Sequence, residues 1–174
     1  MACGAAPQIL RPMHTAAPIH PAVRVGHVHL KVADLDRAIA FYRDVLGFGV
    51  TADAREIGHS AAFLAAGDYH SHIALSTLDS GDATPPPAGH TGLYHVAFRY
   101  PDRAELARAV RRLDEHDWPI DHATDHAATV SVYTADPDGN GIELYYDRPR
   151  EAWFDAHGRP ILQLERFDYR DLLA

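Results

Sequence analysis

The segment GHVHLKVADLDRAIAFY, which begins at Gly26, recurs 68 residues later as YHVAFRYPDRAELARAV, with His95 standing where His27 stands. In the first copy Val28, Leu30 and Val32 alternate with His27, His29 and Lys31, the period of a strand with one apolar and one polar face. Asp34 follows at an N-cap position, and Leu35, Ala38, Ile39, Tyr42, Val45 and Leu46 recur at helical spacing up to Gly47, a C′ glycine. In the second copy Val96 and Phe98 form the apolar face and His95, Ala97 and Arg99 the polar one. Asp102 caps a helix there, with Glu105 at the reciprocal position of a capping box, and Leu106, Val110 and Leu113 carry the buried stripe. The match continues beyond the helices: HIALST from His72 aligns with GIELYY from Gly141, setting Ala74 opposite Glu143. Ala74 lies 47 residues after His27, and Glu143 48 after His95. Two copies of one βαβββ unit account for this, and so long a period argues for duplication within one domain rather than a solenoid.

The rest of the chain falls around these copies. Residues 1–22, with Pro7, Pro12, Pro18 and Pro21, read as a Pro/Ala-rich leader in which His14 and His20 carry no role. Module one occupies 23–78, with further strands over Gly49–Arg55, His59–Ala65 and Tyr69–Leu78. Residues 79–92, DSGDATPPPAGHTG, are a surface linker by composition. Module two occupies 93–147: its helix stops at Trp118-Pro119, Ile120–His126 is a short strand and polar loop, and Thr129–Thr134 is a strand. DPDGNG is then a turn before a last strand in which Ile142, Leu144 and Tyr146 alternate with Glu143 and Tyr145. The domain runs over 23–155, and the tail 156–174 is apolar enough to pack on its own domain or a neighbour.

A net charge of −8 argues against nucleic acid or an anionic membrane as partner. The single cysteine, Cys3, excludes a disulfide framework and leaves metal binding to histidine and carboxylate. No apolar run approaches a membrane span, and the N-terminus lacks the pattern of a signal peptide, so a cytoplasmic location is expected.

His27, His95 and Glu143 each sit on the strand face that the helix leaves uncovered. If the modules set their first and last strands side by side, the three converge on one cavity. Two imidazoles and a carboxylate with open positions is a ligand set for non-haem Fe(II), and suits Mn(II) or Zn(II) as well.

GHVHLKVADLDRAIAFYRDVLGF, GLYHVAF and DPDGNGIELYYDRP resemble the vicinal oxygen chelate superfamily of glyoxalases, bleomycin- and fosfomycin-resistance proteins and type I extradiol dioxygenases. The resemblance spans about residues 23–155 and is closest to small catechol-2,3-dioxygenase-like members. It implies an α+β fold of paired βαβββ modules forming a cupped mixed sheet, helices outside, with His27, His95 and Glu143 as metal ligands. Ala74 stands where glyoxalase-type isomerases commonly carry a fourth ligand. YHSHIALS resembles the extradiol segment whose last histidine is the acid/base, which maps to His72. Tyr133, ten residues before Glu143, matches a tyrosine that hydrogen-bonds a substrate oxygen. His122 or His126 matches a further active-site histidine, His126 by its DH element. The implied activity is ring cleavage of a catechol-type substrate with O₂ by an Fe(II) enzyme, Mn(II) being an alternative metal. A dimer is compatible with the apolar tail. The competing readings are a metal-dependent thiol transferase or isomerase and a metal-free sequestering protein.

Overall fold

The computed structural model of the chain describes residues 17–87 and 89–174, so Cys3, Pro7, Pro12 and His14 of the leader lie outside the described residues. β1 (Val28–Lys31) leads into α1 (Leu35–Ala40), and β5 (Val96–Tyr100) into α2 (Arg103–Glu115), as the repeat requires. Each helix is opened by its aspartate. The Asp34 carboxylate accepts from the Arg37 N–H at 3.0 Å and the Asp102 carboxylate from the Glu105 N–H at 2.9 Å, satisfying a first-turn donor that has no partner within the helix. The reciprocal arm of the capping box is not made, because Arg108 holds the Glu105 carboxylate. A charge-assisted bond outcompetes one to a neutral amide.

The first helix departs from the expected even spacing. After Ala40 it widens into a π turn over Phe41–Val45, which brings Phe41, Tyr42 and Val45 together into the core. Gly47, with φ of 88°, then ends it in the left-handed conformation that glycine adopts without strain.

β4 (Ile73–Ser76) returns parallel to β1, with β3 (Ala61–Ala65) and β2 (Gly49–Asp53) added antiparallel, giving the order β1-β4-β3-β2. β8 (Gly141–Asp147) is likewise parallel to β5, followed by β7 (Thr129–Ala135) and β6 (His122–Asp125). The two parallel registers match residue for residue: Val28 faces Ile73 and Val96 faces Ile142, so His29–Ala74 corresponds to Ala97–Glu143. The tail adds β9 (Glu165–Phe167) antiparallel to β6, and Leu172 is buried beyond it.

The class is α+β, in two mixed sheets of four and five strands. Leu64, Ile73 and Leu75 of one sheet and Val132, Ile142 and Leu144 of the other are fully buried together with Leu106, Val110 and Leu113 of α2. Burying each such side chain contributes about 1.5–3 kcal/mol.

The modules are joined through α1 and its π turn. The Tyr42 hydroxyl donates to Asp136 Oδ2 at 3.0 Å, Phe41 packs on Trp118 with centroids 4.6 Å apart, and Phe48 packs on Phe98 at 5.0 Å. Arg37 pairs with Asp138 at 2.7 Å in the β7–β8 turn. With the modules joined this way, β1 and β5 are end strands of separate sheets, each with one hydrogen-bonded neighbour.

Candidate functional site

Strand register assembles one cluster on the second sheet. Tyr133 and Glu143 are cross-strand partners on β7 and β8, and the Tyr133 hydroxyl donates to Glu143 Oε1 at 2.9 Å. β5 runs beside β8 with Ala97 opposite Glu143. His95, two residues before Ala97 and on the same face, brings its Nε2 to 3.0 Å from Glu143 Oε2. On the other side, His122 of β6 faces Tyr133 and stacks on its ring at 4.4 Å and 18°.

His126 follows β6 in a tight reversal in which Ala127 takes φ of 65° and the Ala128 N–H donates to the His126 carbonyl. The reversal sets His126 Nε2 at 2.9 Å from the Tyr133 hydroxyl, and its Nδ1 at 3.2 Å from the Gln163 carbonyl. The Tyr133 proton goes to Glu143, so all three bonds form together only when both ring nitrogens of His126 carry a proton. A neutral ring gives up one of them.

Burial, then the hydrogen bond to the Glu143 carboxylate, push the Tyr133 phenol up to about 12. It is a neutral donor at physiological pH. Burial, then the charge of Arg166, lower the His122 pKa and favour its neutral ring. The cluster borders a cavity of about 340 Å³ lined by His95, His122, His126 and Tyr133, with Leu164 and Arg166 from the tail.

The remaining sequence-predicted residues lie elsewhere. His27 is exposed and lines a cavity with Thr51, Phe63 and His70 on the first sheet. His72 lines the cleft between the modules with Phe48, Ala97 and Phe98, and its Nδ1 accepts from the Ala66 N–H at 3.2 Å. The expected convergence of His27, His95 and Glu143 is therefore not met within one chain. Among the described residues no group of three or more His, Cys, Asp or Glu side chains is arranged to hold a metal ion. His95 Nε2 and Glu143 Oε2 stand side by side as two donor atoms, the pair that a divalent metal could use. The separation of His27 is topological: the modules meet through α1, not edge to edge through β1 and β5.

The tail residues Leu164 and Arg166 were not foreseen as part of the site. Their only sequence signal is the alternation in LERF, too short to assign a strand partner. His29, expected on the polar face, is taken up by Ser76, its Nε2 lying 3.0 Å from the hydroxyl. Among the described residues no helix is long and apolar enough to cross a membrane.

A family model, the Glyoxalase/Bleomycin resistance protein/Dioxygenase superfamily, matches residues 24–144. The chain is 38% identical over 157 residues to a catechol-2,3-dioxygenase of Bacillus subtilis, covering 89% of this chain and 53% of that protein. It thus spans about half the length of that relative. It is 30% identical over 132 residues to a lactoylglutathione lyase of Haemophilus influenzae, covering 75% and 97% of the two chains. Among solved structures, a glyoxalase/dioxygenase from Nostoc punctiforme superposes with a TM-score of 0.61 at 25% identity, covering 77% of this chain and 99% of that one. The duplicated register, the α+β architecture and the family match agree, and the chain belongs to the Glyoxalase/Bleomycin resistance protein/Dioxygenase superfamily.

Proposed function

We propose that the protein is a metal-dependent extradiol dioxygenase that opens a catechol-type ring with O₂, using Fe(II) or, alternatively, Mn(II). The observation that carries this reading is the line of polar contacts His126–Tyr133–Glu143–His95, in which His126, Tyr133 and His95 line one cavity. The likeness to a protein named catechol-2,3-dioxygenase over 89% of the chain supports it. The roles follow from the donors. His95 and Glu143 are metal ligands, and His27 is the third, delivered from a second copy of the chain because its own copy holds it apart. The metal, when bound, would acidify a chelating phenol. Tyr133, a neutral phenol, would turn its single proton from Glu143 to a substrate oxygen once a metal holds that carboxylate, and so orient the ring. His126 takes up or gives back a proton across that hydroxyl. His72, which in its own copy lines the cleft between the modules, would be the acid/base of ring opening when the second copy delivers it together with His27, its Nε2 being the nitrogen left over from the bond to Ala66.

A lyase of the lactoylglutathione type is a second reading, favoured by the Haemophilus influenzae relative. It is carried less far because Ala74, 1% exposed and in the register that matches Glu143, has no donor atom to offer a metal. The deciding experiment is anaerobic loading with Fe(II), then addition of catechol and substituted catechols with oxygen uptake and absorbance recorded together. Equimolar O₂ consumption with a yellow ring-opened product is expected. Bound iron without oxygen uptake across the panel transfers the case to thiol-dependent chemistry.

A further inference from the structure

Arg166 stands out among the arginines. Every other arginine side chain among the described residues is engaged by a carboxylate, a carbonyl or an aromatic ring. The Arg166 side chain makes no hydrogen bond, ion pair or ring contact among those residues, yet it lines the cavity that holds His95 and Tyr133. In a chain of net charge −8, a cation left unpaired at such a place calls for an explanation.

The neighbouring acids do not supply one. Asp125, beside Arg166 on the β6–β9 ladder, is taken by Arg148. Glu165 accepts from Gln163 Nε2 at 3.2 Å. Glu143 is committed to His95 and Tyr133. The backbone at Arg166 is nevertheless fixed, because β9 pairs it with Thr124 and the Gln163 carbonyl three residues earlier is tied to His126. Its charge reaches the cavity wall, where it helps to lower the pKa of His122. Leu164 and Tyr94 add apolar surface to the same cavity. At about 340 Å³ the space is of the size that takes one small aromatic molecule. The segment carrying Arg166 lies beyond residues 24–144, which the family model matches.

We infer that Arg166 is a specificity residue that pairs with an anionic substituent, so that the substrate is a catechol bearing a carboxylate. The inference rests on the catechol reading of this cavity. A guanidinium presents two parallel N–H donors that match the two oxygens of a carboxylate, whereas a neutral ring leaves that fork unpaired. Arg166 is solvent-exposed in the single chain, so the discrimination it gives is that of one charge-assisted hydrogen-bonded pair and not of a buried charge.

The test compares Fe(II)-loaded wild type, Arg166→Gln and Arg166→Lys on 4-methylcatechol and on 3,4-dihydroxybenzoate, 3,4-dihydroxyphenylacetate and 3-(3,4-dihydroxyphenyl)propionate. Wild type should prefer one of the acids. Arg166→Gln should lose about tenfold or more in kcat/KM for that acid, mostly through KM, and change little on 4-methylcatechol. Arg166→Lys should fall between them, having the charge without the fork. Equal selectivity in wild type and Arg166→Gln overturns the inference while leaving ring cleavage standing. If no catechol is cleaved by the wild type, the dioxygenase reading fails, and Arg166 is judged by calorimetry of the same acids on metal-free protein. A Kd weakened about tenfold in Arg166→Gln sustains the anion site, and an unchanged Kd removes it.

Discussion

The Tyr133 hydroxyl accepts from His126 and donates to Glu143, so its removal cuts the line between the imidazole and the carboxylate without opening a cavity. Tyr133→Phe should cost about 1 kcal/mol in urea denaturation and lower kcat about 10- to 100-fold, with iron content retained. Loss of iron would make Tyr133 a support of the ligand set rather than of the substrate. Tyr42 poses a different question of ionisation. It is fully buried, and burial together with Asp136 raises its phenol well above the ordinary 10.0. The folded state therefore keeps the proton that the unfolded chain gives up above pH 10. The stability so conferred is whole below pH 10 and is lost as pH rises beyond it. Tyr42→Phe should lower stability by about 1 kcal/mol near neutrality and fall less steeply than wild type above pH 10, read by chemical denaturation at each pH. A parallel decline in the two proteins would take Tyr42 out of the alkaline transition. At this scale the sequence carried much of the site. Face parity and the matched spacings put His95, Tyr133 and Glu143 on one wall, because register is a local property of paired strands.

Strand pairing depends on one close approach that only glycine allows. A Cβ on Gly141 would stand 2.3 Å from the Tyr94 carbonyl oxygen and 3.1 Å from the His95 Cβ. Both neighbours belong to the entry of β5, so Gly141→Ala must push β8 away from the strand that carries His95. An expected loss of about 1–3 kcal/mol is measurable in urea, and it should come with weaker metal binding, since the His95–Glu143 spacing rests on this contact. Full stability and unaltered metal affinity would show that the strands can separate without disturbing the pair. Elements were read unevenly from sequence, for physical reasons. The caps at Asp34 and Asp102 are signalled by a residue type with one dominant use. The π turn is not, since Phe41, Tyr42 and Val45 fit an even helical stripe as well as a widened one, and tertiary contact with Trp118 and Asp136 decides between them. β9 escaped because three residues carry too little pattern to name β6 as partner.

At the scale of the whole molecule the sequence says least, because the repeat fixes each module's interior and is silent on how the modules meet. In one chain they meet through α1, and β1 and β5 keep an unpaired edge. The residues entering those edges are apolar and open to solvent, Val25 at 93% and Tyr94 at 89% exposed. Open edges and exposed apolar side chains are what a second strand covers, and a protein of net charge −8 needs such surface to associate with its own kind. A two-fold pair in which β1 of one copy meets β5 of the other buries both edges twice. On the proposed reading, in which His27 comes from a second copy, such a pair would also bring His27 of one copy to His95 and Glu143 of the other, so that each site would draw on both chains. This arrangement makes a prediction that an intrachain site does not share. His27→Ala and Glu143→Ala should each be inactive alone. Unfolded together in equal amounts and refolded, they should recover about a quarter of wild-type activity and metal content, because half the pairs are mixed and each mixed pair holds one intact site of two. Size-exclusion chromatography should show both variants as pairs, since neither substitution touches the apolar edge. Pairs that form but recover nothing would place the third ligand within the chain, and variants that stay single would remove the partner altogether.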